Sequence, residues 1–220
     1  WVLALSIPTA SEEWLLLGLI QEELGDSRQA SECFHTALLI DPRLPQALHG
    51  LARLALAENQ YDRALMHMKR AVKVYHRALK PTPEAMLADL ADAAERMGAC
   101  DEALSAYREL ATRHAAQPEI YEAIASVLEG EGRWTEAASV MGNAAELAPE
   151  DPSYIVRAAE LLRRAGRHQA ALAAFQRTLT LGGGASVYLG KAHCEESLGL
   201  YEAALESYRM AETFSQELPV

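Results

Sequence analysis

The chain has 220 residues, half of them apolar, which is enough to bury a substantial core and argues against disorder. Its apolar runs, residues 1–7 and 14–20, are too short to cross a bilayer as helices. Twenty basic residues against 31 acidic ones leave a net charge of −11, which disfavours binding to a phosphate backbone and favours neutral or basic partners.

Read in chain order, residues 1–10 look like the tail of a preceding unit, because Pro8 precedes Trp14 by the same offset as Pro42 precedes Leu48 and Pro149 precedes Ile155. Residues 11–44 then form a helix pair: Trp14, Leu17 and Gly18 in the first helix, a stop at Gly25, and Ala30, Phe34 and Ala37 in the second. Residues 14–20 are apolar on every face except at Gly18, which predicts a helix covered on both sides. Residues 45–83 repeat the pattern with Ala52, Asn59, Ala64 and Met68, but they lack a closing proline, and the second helix is expected to run on to Lys80. Residues 84–117 (Ala91, Gly98, Ala103, Tyr107), 118–151 (Ala125, Gly132, Ala137, Met141) and 152–184 (Ala159, Gly166, Ala171, Phe175) follow in register. Residues 185–220 carry Ala192, Gly199, Ala204 and Tyr208, with Lys191 and Glu195 where apolar residues are usual. This last unit follows Gly182, Gly183 and Gly184, read as a linker, so it is expected to dock loosely or with a kink.

The columns have one physical meaning. A small residue in the first helix, facing a large one in the second, lets two antiparallel helices approach closely while the large side chain fills the gap. Glycine, and next best asparagine, takes the left-handed conformation that ends a helix, so Gly25, Asn59, Gly98, Gly132, Gly166 and Gly199 mark the inter-helix turns. Prolines at Pro42, Pro118, Pro149 and Pro152 fall between units, where helices must stop.

With Trp14, Leu17, Gly18, Ala30, Phe34, Ala37 and Pro42 in order, and five further units in the same register, the chain resembles the tetratricopeptide repeat family. The resemblance implies an all-α fold, a right-handed α-solenoid of antiparallel helix pairs, whose first helices line a concave face. No polar capping helix follows Phe214, so the array is expected to continue beyond both ends, or to self-associate through its uncovered terminal units.

On this reading, residues opposite the packed stripe of each first helix line a groove: Glu12, Leu15, Leu19, Glu22 and Glu23, then Gln46, His49, Arg53 and Leu56, then Ala85, Ala88, Asp92, Glu95 and Arg96. In the later units they are Glu119, Glu122, Ser126 and Glu129, then Ser153, Val156, Glu160, Arg163 and Arg164, then Ser186, Leu189, His193 and Glu196. Acids outnumber bases, most clearly in the middle, so the expected partner is a protein or peptide segment bearing Lys or Arg. Any one of these carboxylates can equally be a solvated surface charge. Two known binding modes of the family are not matched. The places of a lysine-asparagine carboxylate clamp hold Leu15, Leu19 and Gly50, and those of an asparagine ladder hold Leu16, Gly50, Asp89, Ala123, Arg157 and Gly190.

The basic residues concentrate in the second helix of residues 45–83, where Lys69, Lys73, His76 and Lys80 form one stripe beside Arg63, Arg70 and Arg77. This stripe reads as a solvated outer face, or as a dock for an acidic partner or nucleic acid. Only Tyr75 interleaves with it, which gives single-strand stacking little support.

No metalloprotease, phosphate-loop or nucleophile-elbow motif occurs, and no catalytic, cofactor or metal site is expected. Cys33, Cys100 and Cys194 form no CxxC pair and read as free thiols, which leans towards a cytoplasmic location. Tyr61, Cys100, Trp134, His168 and Tyr201 share one column after the turn and read as packing residues, Cys100 as buried. The readings that remain are a protein-interaction scaffold, the substrate-recognition arm of a larger enzyme, and a self-assembling structural scaffold.

Overall fold

A computed structural model describes residues 9–216. Every element in this span is helical: α1 (Ser11–Glu23), α2 (Ser27–Ile40), α3 (Pro45–Ala57), α4 (Tyr61–Arg77), α5 (Glu84–Met97), α6 (Cys100–Arg113), α7 (Pro118–Gly130), α8 (Trp134–Leu147), α9 (Pro152–Arg164), α10 (His168–Thr180), α11 (Ala185–Ser197) and α12 (Tyr201–Gln216). The helices gather into two compact units, residues 1–110 and 111–220. The tail reading of residues 1–10 falls largely on residues 1–8, outside the described residues.

Each pair closes through the same turn. Gly25, Asn59, Gly98, Gly132, Gly166 and Gly199 all have positive φ, between 59° and 80°. The next residue's N–H returns to the carbonyl five residues back, Asp26 to Gln21 at 2.9 Å and Leu200 to Glu195 at 2.8 Å, which satisfies carbonyls the helix end would strand. Asp26 then caps α2 by accepting from the Gln29 N–H at 3.0 Å. Pro45, Pro118 and Pro152 open α3, α7 and α9, where a missing N–H costs nothing.

In the first unit α1 packs on α2, α2 on α3, α3 on α4 and α4 on α5, while α3 also touches α1 and α5. Ala30, Ala64 and Ala103 are fully buried, as are Phe34 and Met68. Phe34 sits so close under Gly18 and Gly50 that a Cβ on either glycine would come within 2.6 Å of its ring. Leu16 and Ile20 are 60% and 56% exposed, so among the described residues only one side of α1 is covered. The α4 helix ends at Arg77, short of Lys80, because Leu79 adopts φ 53° and the Lys80 N–H returns to the Tyr75 carbonyl at 3.1 Å. Pro81 behind it disfavours helical geometry at Lys80.

In the second unit α7 packs on α8, and each of α8 to α11 packs on the next, with α9 also touching α11. Ala137, Ala171, Met141 and Phe175 are buried, and Phe175 presses against Gly190 and clusters with Ala159, Val187 and Cys194. The glycine triplet is an ordered helix junction rather than a linker. Gly182 has φ 96°, the Gly183 N–H returns to the Thr178 carbonyl at 3.2 Å, and Gly184 caps α11.

Lys191 and Glu195 are accommodated by a third polar group. Lys191 Nζ lies 2.7 Å from Glu195 Oε1 and donates to Ser207 Oγ at 2.6 Å, while the Ser207 hydroxyl donates to Glu195 Oε2 at 2.7 Å. Glu195 is only 4% exposed. With all three groups paired, α11 docks on α12 without the apolar residues its neighbours use.

Candidate functional site: the first-helix faces

The buried columns turn one side of every first helix inward, which leaves the other side to polar residues. In the first unit these side chains form links between successive first helices. Arg53 on α3 pairs with Glu22 on α1 at 2.5 Å, and His49 Nε2 on α3 lies 2.7 Å from Asp89 Oδ2 on α5. The Arg53 Nε is buried without a hydrogen-bond partner. On α5, Arg96 Nε donates to Asp92 Oδ1 at 2.8 Å and its guanidinium stacks over Tyr61, 5.4 Å from the ring centre. The Tyr107 hydroxyl bonds Glu95, and burial together with the Glu95 and Asp92 charges pushes its pKa up to about 12.

The second unit centres on Arg157 of α9. Its Nη1 donates to Glu122 Oε1 at 3.1 Å and its Nη2 to Glu129 Oε1 at 2.9 Å, so one guanidinium spans two turns of α7. Arg164 lies 3.8 Å from Glu129 and stacks over Trp134 at 5.5 Å, and Arg163 pairs with Glu160 at 2.8 Å. Glu119 is exposed and makes no ion pair among the described residues. Burial raises the Tyr154 pKa, with the Glu122, Glu119 and Asp151 charges adding to it. On α11, His193 packs edge-on against Tyr208, whose hydroxyl donates to Glu196 at 2.9 Å.

Each residue of the expected groove therefore sits on its first helix, but few are bare charges. In the first unit His49, Arg53, Asp92, Glu95 and Arg96 all have partners, as do Glu122, Glu129, Glu160 and Arg163 in the second. Asp89 and Arg157, which supply the central cross-links, were absent from the expected lining. Their signal was present in the column read as an unmatched asparagine ladder, which also holds Gly50 and Gly190. The tyrosines of the large column, Tyr107 and Tyr208, reach the same face through their hydroxyls.

The column of Tyr61, Cys100, Trp134, His168 and Tyr201 is not core. Cys100 is half-buried, Tyr201 is exposed, and Tyr61 and Trp134 serve as stacking surfaces for arginines. The basic stripe on α4 is partly neutralised, because Lys69 pairs with Glu102 and His76 Nε2 lies 3.5 Å from Glu109, both on α6. Among the described residues no three His, Cys, Asp or Glu side chains gather as metal ligands would, and no helix is long and apolar enough to cross a membrane.

Helix pairs repeated in one register, with a buried small–large seam and a polar first-helix face, define a helical-repeat protein of the α-solenoid class. The tetratricopeptide repeat family model matches residues 15–85, 88–154 and 156–219, and the chain belongs to that family. Among solved structures, a chain of the Naa15/Naa10 complex bound to HypK-THB superposes with a TM-score of 0.77 at 16% identity, over 94% of this chain and 31% of that one. YrrB, described as a TPR protein with an unusual peptide-binding site, gives 0.59 at 13% identity over 89% and 90%. MamA from Desulfovibrio magneticus RS-1 gives 0.56 at 14% identity over 80% and 97%. At these identities the likeness is one of fold. No curated protein matches the chain at a significant level.

Proposed function

We propose that the chain is a protein-interaction scaffold whose first-helix faces bind a partner segment carrying lysine or arginine. Arrays of this family are typically non-catalytic scaffolds. The observation that carries the acidic reading is the row on α7: Glu122 and Glu129 share Arg157, Arg164 lies beside Glu129, and Glu119 faces solvent unpaired. Charges held this way steer and select a basic segment more than they bind it tightly.

The test is fluorescence anisotropy with a lysine- and arginine-containing peptide, titrated against the chain at low and high salt. Binding should weaken with salt and fall in the Glu119→Lys, Glu122→Lys, Glu129→Lys variant. Binding indifferent to both would sink the acidic-face reading.

The exposed stripe of Leu16 and Ile20 on α1, with Leu24 at its C-cap, favours a second reading, self-association through that face. Light scattering that reports a monomer across concentrations would remove it.

A further inference from the structure

The α4 helix is cationic on an acidic chain: it carries five lysines and arginines against one aspartate, where the whole protein has a net charge of −11. Along one side of it runs a shallow groove of about 600 Å³, floored by Leu65 and Met66 of α4 and by Met97 at the end of α5. Met66 and Met97 are 49% and 46% exposed, so the groove presents apolar surface to solvent. Lys69, Arg70 and Lys73 form the rim, and Asp62 closes one end. Lys69 is fixed by Glu102, but Arg70 and Lys73 have no ion-pair partner among the described residues.

An apolar floor edged by uncompensated cations is the complement of a helix with apolar residues on one face and carboxylates beside them. The span from Asp62 to Lys73 is about three helical turns, roughly 16 Å, long enough to seat three turns of a partner. Methionine makes an adaptable floor, because its unbranched thioether repacks against differing apolar side chains. No aromatic side chain lines the groove, so bases have nothing to stack on. We propose that this groove on α4 is a second docking site, which takes an acidic amphipathic helix of a partner protein. It lies on a second helix and takes the opposite charge to the first-helix face, so the chain can hold two segments of different chemistry at once.

A fluorescein-labelled synthetic amphipathic helix, with leucines on one face flanked by glutamates, tests this by anisotropy on the full chain. Saturable, salt-sensitive binding is expected. It should be about tenfold or more weaker in Arg70→Glu, Lys73→Glu, with a smaller loss in Met66→Ala. Circular dichroism confirms that each variant is folded, and Arg70→Gln, Lys73→Gln serves if the reversal does not fold. Glu119→Lys, which alters the first-helix face of the other unit, should leave this binding unchanged, so the two readings fail separately. Three results would overturn the proposal: no binding, equal binding of a scrambled peptide of the same composition, or indifference to Arg70 and Lys73. Displacement of the peptide by phosphatidylserine vesicles or a single-stranded oligonucleotide, through the same residues, would overturn it in favour of a membrane or nucleic-acid surface.

Discussion

Arg157 on α9 holds Glu129 of α7 at 2.9 Å while its second amino group reaches Glu122 at 3.1 Å. All three side chains are partly exposed, so the triad costs little to break. Arg157→Met should therefore change folding stability by less than about 1 kcal/mol in urea titration. Releasing two carboxylates should at the same time tighten binding of a lysine-rich peptide to the first-helix face. Weaker peptide binding by this variant would mean that Arg157 itself contacts the partner.

Glycines pressed on phenylalanine should not tolerate a methyl group. Gly18→Ala and Gly50→Ala each force Phe34 to move, and should cost about 1–3 kcal/mol. Gly142 lies within α8 with open space around its Cβ position, so Gly142→Ala should instead stabilise by about 0.5–1 kcal/mol. Urea midpoints of the three variants read out the contrast.

The Lys191–Glu195–Ser207 cluster is stable as a set. Lys191→Met alone strands a nearly buried carboxylate and should cost about 3 kcal/mol or more, whereas Lys191→Met with Glu195→Met should cost clearly less. A double-mutant cycle by chemical denaturation measures the coupling, and additive losses would contradict it.

Leu79 closes α4 in the left-handed conformation, which strains a side chain bearing a Cβ, and it is almost fully exposed. Leu79→Gly removes a penalty of about 1–2 kcal/mol against glycine's larger chain entropy, so a net gain of up to about 1 kcal/mol is expected. A rise in thermal midpoint is the readout.

His67 resists protonation because it is buried, with Arg70, His35 and Arg63 adding repulsion, and its Nδ1 is buried without a partner. The folded pKa lies below the ordinary 6.5, so below that pH the unfolded chain takes up the proton first. The contribution of His67 is complete above pH 6.5 and is lost as pH falls from there through the folded value. The thermal midpoint of His67→Gln should fall less steeply with acidification than that of the unaltered chain.

The helix pairs were legible because each column states a local constraint. Ala30, Ala64 and Ala103 must be small at a seam, and Gly25 or Asn59 must turn left-handed, wherever the rest of the chain lies. The early end of α4 was legible only in part: Pro81 disfavours helical geometry at Lys80, but nothing local marks Leu79 as a residue that would accept positive φ. The 3.6-residue period was enough to set His49, Arg53, Glu122 and Glu129 apart from the packed stripe of their helices. Their charge state was not legible, because Asp89 and Arg157 lie off the centre of the first-helix face and reach it across a helix–helix contact.

By itself the sequence determined the family, the register of small against large residues and the side of each first helix that faces away from the core. All three follow from helical periodicity and steric size, which are properties of short segments. Only the tertiary structure decided which charges are spent on one another across helices: Arg157 on Glu122 and Glu129, and Arg53 on Glu22. Ion pairing acts over a few ångströms between side chains distant in sequence, so it is fixed by how successive helices stack rather than by the pattern within any one of them.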